Sequence, residues 1–268
     1  MKEEIGEIIE QIKVKQPLVH NITNQVVMNF TANGLYAIGA APVMANDVRE
    51  VADMASIADA LLINIGTLTI DQVEAMILAG RSANEKGIPV VFDPVGVGAT
   101  PFRNQAAERI LNEVSITLVR GNSGEISQLA GMDAEVRGVD ATGNMDAVKI
   151  AKTAVRKLGT AVLVTGEQDV IADQNALAIL SNGTPLLTKV TGTGCLLSSV
   201  VAAFLAVGKE TVVSAVAAAS FYSVAAEFAV EKADQPGSFQ MAFLDALSQT
   251  TSVHVLEKMQ LEVQNHEI

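Results

Sequence analysis

The chain has 268 residues, of which 49% are hydrophobic and 18% are charged. This composition is typical of a folded protein with a large core and argues against a disordered chain. The formal net charge of −12 argues against general nucleic-acid binding, because Lys and Arg are too few to neutralise a phosphate backbone. One cysteine and three widely spaced histidines exclude an internal disulfide and offer no Cys/His zinc cluster.

Two segments bear on where the protein resides. The charged, amphipathic N-terminus, Met1 to Glu10, contains no apolar signal core, so we expect a cytoplasmic protein. The run from Thr211 to Val230 approaches the length of a membrane span, but it is rich in Ala and Ser and contains Glu227. We therefore predict a helix packed inside a soluble protein, with no membrane partner.

The first quarter of the chain predicts helices separated by short strands. Isoleucines at helical spacing begin the series, and polar cap residues at Asn21–Gln25 precede the second helix. These polar residues are either caps or hydrogen-bonding groups for a small ligand. The predicted elements are helices Lys2–Lys15, Gln25–Ile38 and Val48–Ile57 and strands Pro17–Asn21 and Ala40–Ala45.

A regular alternation follows. Continuously apolar strands alternate with helices, which favours a mostly parallel sheet covered on both faces. The strands are Ala60–Ile65, Ile88–Phe92, Ile116–Val119 and Ala161–Val164, and the helices are Asp71–Lys86, Asn104–Val114, Ser123–Ala130 and Asn144–Leu158.

Beyond Gly166 the pattern changes to short runs separated by turn residues, which predicts an antiparallel meander at the sheet edge. Its runs are Val170–Asp173, Ala176–Leu180 and Pro185–Thr188. Two long Ala-rich helices and a helical region from Ser238 to Val263 complete the chain. Because no low-complexity linker or repeat interrupts it, we expect a single domain over residues 1–268.

The stretch from Lys189 to Cys195 contains two glycines and two threonines directly before an apolar run that lasts until Gly208. Such a helix start offers free N–H groups and a partial positive charge to an anion, and Gly192 and Gly194 allow close approach to the backbone. A Gly-containing turn before a core helix is an equally weighted interpretation of the spacing alone.

Polar residues also follow the predicted parallel strands, whose carboxyl ends are where ligands bind. Asp93 is either a turn cap or a carboxylate linked to a metal. Glu125, three residues after Asn122, is either half of a capping pair or an acidic group that organises Mg²⁺. Arg120 suits a nucleotide phosphate, although a surface ion pair is its ordinary role.

The order of these parts resembles the ribokinase-like small-molecule kinases. Five motifs over most of the chain look more specifically like the hydroxyethylthiazole kinase family, the thiazole-salvage enzymes of thiamine biosynthesis. The motifs are His20–Val27, Gly39–Ala45, Asp93–Ala99, Arg120–Glu125 and Thr191–Cys195.

The resemblance implies a three-layer α/β/α fold with an antiparallel edge and the transfer of the ATP γ-phosphate, with Mg²⁺, to the alcohol of 4-methyl-5-(2-hydroxyethyl)thiazole. It also implies a homotrimer with sites at subunit interfaces. The residue roles that it implies are a thiazole pocket of Asn24, Val26 and Met44, ATP contacts from Arg120 and Thr165, Mg²⁺ organised by Asp93 and Glu125, and an anion hole at Gly192 and Gly194.

Cys195 departs from the ribokinase-like pattern, which places Asp at this position as base, but agrees with the thiazole kinases. A thiol has an ordinary pKa of about 8.5, and a helix N-terminus lowers it. We expect Cys195 to position the substrate hydroxyl and to assist weakly as base, an inert buried thiol being the alternative.

Three other functions stay open from the sequence. One is a kinase of the same fold that acts on a pyrimidine or pyridine alcohol. Another is an ADP-dependent dehydratase of hydrated nicotinamide cofactors, and the third is a ligand-binding protein without catalysis.

Overall fold

A nine-stranded sheet runs through residues 1–132 and 144–265, the part of the chain that the computed structural model describes. The order of the strands is β2-β1-β3-β4-β5-β6-β7-β8-β9; neighbours from β2 to β6 are parallel, and the pairs from β6 to β9 are antiparallel. The strands are β1 (Leu18–Ile22), β2 (Ala41–Val43), β3 (Ala60–Asn64), β4 (Val90–Asp93), β5 (Leu118–Asn122), β6 (Ala161–Thr165), β7 (Asp169–Ala172), β8 (Ala176–Leu180) and β9 (Leu261–Asn265).

Helices cover both faces of this sheet. They are α1 (Lys2–Lys15), α2 (Met28–Ile38), α3 (Val51–Ile57), α4 (Ile70–Lys86), α5 (Pro101–Glu113), α6 (Ser123–Leu129), α7 (Asn144–Leu158), α8 (Thr193–Val207), α9 (Thr211–Lys232), α10 (Pro236–Gln249) and α11 (Ser252–Lys258).

The sheet separates two hydrophobic cores. One core contains buried residues of α1, α2 and α8 to α11, and the other contains those of α3 to α7. Within β3, Ala60 and Leu62 belong to the first core, and Leu61 and Ile63 to the second. Since successive side chains of a strand point to opposite faces, strands buried on both sides must be continuously apolar. The predicted three-layer α/β/α arrangement is confirmed.

The antiparallel edge differs from its prediction in one strand. Pro185–Thr188 is a 3₁₀-helix, and the Thr184 hydroxyl caps its start. The third antiparallel strand of the edge is instead β9, from the C-terminal part of the chain, which pairs with β8. The predicted C-terminal helical region was therefore wrong beyond Lys258. Leu261–Asn265 is too short to show a period of its own, and it pairs with residues about 80 positions earlier in the chain.

Helix α9 is long and apolar enough to cross a membrane by length and composition, yet 83% of its most apolar 18-residue window is buried inside the protein. Its buried residues pack into the first core, against α1, α8 and α10. In this structure α9 is a central core helix, as predicted.

The junction between β8 and β9 depends on one buried amide. Asn182 donates from Nδ2 to the Glu227 carboxylate (2.9 Å) and to the Lys258 carbonyl (3.0 Å), and its Oδ1 accepts from the Gln260 N–H at 2.6 Å. The C-terminal strand is therefore fixed to the end of β8 by a side chain that is only 6% exposed.

Asn182→Ala should lower the free energy of unfolding by about 2 kcal/mol, because it removes the buried amide that binds the Lys258 carbonyl and the Gln260 N–H, both partly shielded from solvent. Urea denaturation measures the change. Asn175→Ala, at an exposed turn between β7 and β8, is the matched control and should change stability little. Equal stability of the two variants would contradict the assigned role of Asn182.

Candidate functional site

The parallel strands bring polar side chains together at one edge of the sheet. Register pairs Asn64 of β3 with Asp93 of β4, and Asn122 of β5 with Thr165 of β6, so these strands end side by side. The N-terminus of α8 contacts the same edge, because Ser198 in its second turn donates to Asp93 at 2.8 Å. The structure thus places the sequence-predicted residues of β4, β5, β6 and α8 in one region.

Asp93 is fully buried at the centre of this region. Its Oδ2 accepts hydrogen bonds from Asn64 Nδ2 and Ser198 Oγ, both at 2.8 Å, whereas its Oδ1 accepts none from the described residues. Burial raises the pKa of Asp93 to about 6, the nearby Arg120 opposes the rise, and the charge of Glu125 adds to it. The carboxylate is therefore held at a cost, with one oxygen still open to a partner.

Arg120 lies between Asp93 and Thr165. Its Nη1 is 4.0 Å from Asp93 Oδ1, and its Nη2 donates to Thr165 Oγ1 at 2.7 Å. The side chain is only 12% exposed, so the surface ion pair is the wrong interpretation. A β-carbon on Gly194 would lie 2.7 Å from Arg120 Nη1, which means that the guanidinium packs directly on the α8 backbone.

Glu125 caps the start of α6 together with Asn122. Its Oε2 accepts from the Asn122 N–H and its Oε1 from the Gly96 N–H, each at 2.9 Å, while Asn122 Oδ1 accepts from the Glu125 N–H. This reciprocal pair starts α6. The carboxylate also fixes the loop after β4, close enough to Asp93 to influence its pKa.

Two hydroxyl groups fix the backbone around the start of α8. Gly192 has φ +89°, and a β-carbon there would lie 2.7 Å from Val27. Thr193 Oγ1 donates to the Leu187 carbonyl at 2.6 Å, and the Tyr222 hydroxyl donates to the Thr193 carbonyl at 2.6 Å. These contacts fix the backbone at the start of α8, where the first N–H groups of a helix have no partner within the helix and are available to an anion.

Cys195 lies in the first turn of α8, and its Sγ accepts a hydrogen bond from Asn24 Nδ2 at 3.3 Å. Asn24 also donates to Asn64 Oδ1 at 3.1 Å. Burial, followed by the charge of Asp93, raises the pKa of the Cys195 thiol to about 11. The lowering expected from a helix N-terminus is thus outweighed by loss of solvent, and the group is a neutral thiol at pH 7.

The predicted thiazole residues occupy different environments. Asn24 is buried within the network around Cys195, whereas the Val26 side chain is 68% exposed in the loop between β1 and α2. Met44 is half-buried in the loop after β2, next to Ala45, whose carbonyl contacts His20 Nε2 at 2.8 Å. Of the three, the structure connects Asn24 alone by hydrogen bonds to the cluster.

Sequence reasoning missed Asn64 and Ser198, both of which bind Asp93. Each lies inside a run whose other residues are mostly apolar, Asn64 near the end of a buried strand and Ser198 one turn into a core helix. A buried polar residue within such a run needs a partner, and this requirement is the signal that points to them.

A magnesium ion fits this donor set only in part. Across residues 1–132 and 144–265, no three His, Cys, Asp or Glu side chains form a metal-holding group. Mg²⁺ bound with nucleotide usually needs one or two carboxylates, its other ligands being phosphates and water. The open Oδ1 of Asp93 and the nearby Glu125 carboxylate satisfy that smaller requirement.

Comparisons with known proteins agree over nearly the whole chain. Residues 9–252 match the model of the hydroxyethylthiazole kinase family. A solved structure, that of a hydroxyethylthiazole kinase protein from Pyrococcus horikoshii OT3, shares 40% sequence identity with this chain and superposes on it with a TM-score of 0.91. The match covers 99% of this chain and 100% of that one.

More distant structures show the fold alone. The pyridoxal kinase of Staphylococcus aureus, in complex with AMP-PCP and pyridoxal, is 16% identical with a TM-score of 0.65, over 93% of this chain and 98% of that one. A ribokinase-like superfamily protein from Enterococcus faecalis V583 shares 15% sequence identity with a TM-score of 0.64, and the match covers 92% of this chain and 95% of that one. The predicted ribokinase-like architecture is confirmed.

Gly194→Ala should displace the Arg120 guanidinium, because the new methyl group needs the space that Nη1 occupies. We expect kcat/KM for ATP to fall about tenfold or more, the effect of misplacing a positioning group. Gly237→Ala is the matched control, since a β-carbon there meets nothing within 4 Å. Steady-state kinetics with varied ATP decide; unchanged kcat/KM in folded Gly194→Ala would refute the packing argument.

Asp169 supplies a pH dependence of stability. It is buried, its Oδ1 accepts from the Gly166 N–H at 3.1 Å, and burial raises its pKa from 3.8 to about 6. Because the folded state holds the proton more tightly, the ionised group destabilises the fold increasingly as pH rises from 3.8 to about 6.

Asp169→Asn keeps the acceptor oxygen and removes the charge. It should raise the free energy of unfolding by about 3 kcal/mol at pH 8 and by roughly half of that at pH 5. Urea denaturation of both proteins at the two pH values measures this. If Asp169→Asn raises the free energy of unfolding by the same amount at both pH values, ionisation of Asp169 is not the cause.

Proposed function

We propose that this chain, which belongs to the hydroxyethylthiazole kinase family, transfers the γ-phosphate of ATP to the primary hydroxyl of 4-methyl-5-(2-hydroxyethyl)thiazole. The product is the thiazole phosphate used in thiamine phosphate synthesis, so the reaction is a salvage step. The observation that carries this proposal is the convergence of Asp93, Arg120 and Cys195 beside the glycine-rich start of α8.

Arg120, Thr165 and Gly194 form the nucleotide side. Phosphoryl transfer through a loose transition state depends mainly on positioning and charge neutralisation. The Arg120 guanidinium supplies a fixed positive charge, oriented by its bond to Thr165, and its buried Nε has no partner among the described residues. We assign it to the ATP phosphates, with the Gly194 backbone beside it.

Asp93 and Glu125 suit the cation that accompanies ATP. When bound, Mg²⁺ neutralises charge on the β- and γ-phosphates. Asp93 presents a carboxylate oxygen without a hydrogen bond, and Glu125 fixes the adjacent Gly96 loop. We propose that Asp93 and Glu125 hold Mg²⁺ directly or through water.

Asn24, Val26, Met44 and Gly192 form the acceptor side, with Cys195 nearest the reacting hydroxyl. Asn24 directs Cys195 through its bond to Sγ. Because the thiol is neutral at pH 7, we assign it to positioning the hydroxyl. Its weak assistance as base comes only from the small fraction present as thiolate, which takes the hydroxyl proton and becomes the thiol. We assign the Gly192 backbone to receiving the transferred phosphate.

The assembly and location are further parts of the proposal. We propose a cytoplasmic homotrimer of single-domain chains over residues 1–268, with sites at subunit interfaces. The exposed side chain of Val26 supports this, since a pocket residue that is 68% exposed in one chain needs a second surface to enclose it. The mass of the protein in solution tests the assembly.

The decisive experiment is an ADP-release assay with Mg-ATP and one alcohol at a time. We expect release that depends on hydroxyethylthiazole and responds weakly to hydroxymethylpyrimidine and pyridoxal. Preference for either of those alcohols would favour another kinase of this fold. If no alcohol stimulates release, restored absorbance of a reduced nicotinamide would identify the dehydratase, and ATP binding without turnover would identify a binding protein.

Two substitutions test the role of Cys195. Cys195→Asp should retain or raise kcat, because a carboxylate accepts the hydroxyl proton more readily than a buried thiol does. Cys195→Ser should leave measurable activity, since it keeps a small polar group for positioning. Complete inactivity of a folded Cys195→Asp enzyme in the same assay would overturn this assignment.

A further inference from the structure

Arg103 of α5 binds backbone carbonyls from two different loops of the site. Its Nη1 donates to the carbonyls of Ile65 (2.6 Å) and Val95 (2.7 Å), and its Nη2 donates to that of Gly66 (2.8 Å). Ile65 and Gly66 follow β3, whereas Val95 follows β4. One guanidinium therefore joins two segments that leave neighbouring strands.

Arg103 binds these carbonyls just beyond the point where β3 and β4 stop pairing. The parallel pairing of β3 with β4 ends at Asn64 and Asp93, followed by one bond from the Ile65 N–H to the Asp93 carbonyl at 3.2 Å. Beyond that point the sheet no longer fixes the distance between the two segments. Arg103 supplies the next three hydrogen bonds, immediately outside the buried carboxylate of Asp93.

The loop after β3 supports the acceptor side. The Gly66 N–H donates to Asn64 Oδ1 at 2.9 Å, and a β-carbon on Gly66 would lie 2.8 Å from the Asn24 side chain. Asn24 in turn donates to Cys195. A shift of Gly66 is therefore transmitted to the side chain that orients the thiol.

The loop after β4 supports the phosphate side. Gly96, directly after the Val95 carbonyl that Arg103 binds, donates its N–H to Glu125 Oε1 at 2.9 Å. Glu125 and Asp93 are the carboxylates that we assign to the cation. Arg103 thus has one set of bonds on each half of the reaction site without reaching into the site itself.

We propose that Arg103 is a positioning residue that keeps the acceptor side in register with the phosphate side. The proposal rests on the proposed function. Its planar fork donates from two separate nitrogens to three carbonyls, whereas all the donors of lysine come from one ammonium nitrogen on a flexible stem. Without it the hydroxyl loses alignment with the γ-phosphate, and water competes as the acceptor.

The test compares Arg103→Lys and Arg103→Ala with the wild type. Each reaction is followed by both ADP and thiazole phosphate, and ATP affinity is measured separately with a fluorescent nucleotide. We expect kcat for transfer to fall about tenfold or more, with ATP affinity within about twofold and more than one ADP released per thiazole phosphate. Added guanidinium should restore the product ratio of Arg103→Ala towards one.

Arg109→Ala is the matched control on the same helix, because Arg109 pairs with Glu74 and Glu113 on the surface. It should leave both kcat and the product ratio unchanged. A folded Arg103→Lys enzyme with wild-type kcat overturns the proposal, and so does a loss of kcat with one ADP per thiazole phosphate in both variants, which indicates a structural role only. Transfer by the wild type is the separate test of the proposed function.

Discussion

The site depends on a carboxylate that the fold buries without fully compensating it. Asp93 is 0% exposed, and two neutral donors, Asn64 and Ser198, share its Oδ2 while Arg120 stays 4.0 Å from Oδ1. A buried charge is tolerated when it is paired with an opposite charge and hydrogen-bonded. Here only one carboxylate oxygen accepts hydrogen bonds within the part of the chain that the structure describes, and the opposite charge of Arg120 is at the limit of ion-pair distance. The open Oδ1 therefore favours a hydrogen-bond donor or a cation at this edge of the sheet.

From Asp93 a chain of amide hydrogen bonds leads to Cys195. Asn64 donates to Asp93 and accepts from both Asn24 and the Gly66 N–H, and Asn24 donates onward to Cys195. These contacts join the loop after β1, the ends of β3 and β4, and the start of α8. A displacement of any one of these segments changes the donors available to the others, because each amide has few alternative partners.

The location of this site could be predicted from the sequence, but its connections could not. Apolar runs predict the parallel strands, and the ends of those strands predict Asp93, Arg120 and Thr165 at one edge. Asn64 binds side chains that are remote in sequence, and Arg103 binds backbone carbonyls. No local sequence pattern predicts either kind of contact. The same limit explains β9, whose pairing with β8 joins Ala176 to Asn265 across the four helices α8 to α11.

Loss of solvent also decides the chemistry at Cys195. A helix N-terminus favours the thiolate, yet burial and the charge of Asp93 outweigh it and raise the pKa of the thiol to about 11. A transition state with a weakly bonded phosphoryl group does not need an early base, since the hydroxyl becomes acidic only as the new bond forms. In the proposed function a neutral thiol therefore suffices where alignment limits the rate, and contacts as remote as those of Arg103 bear on catalysis through alignment.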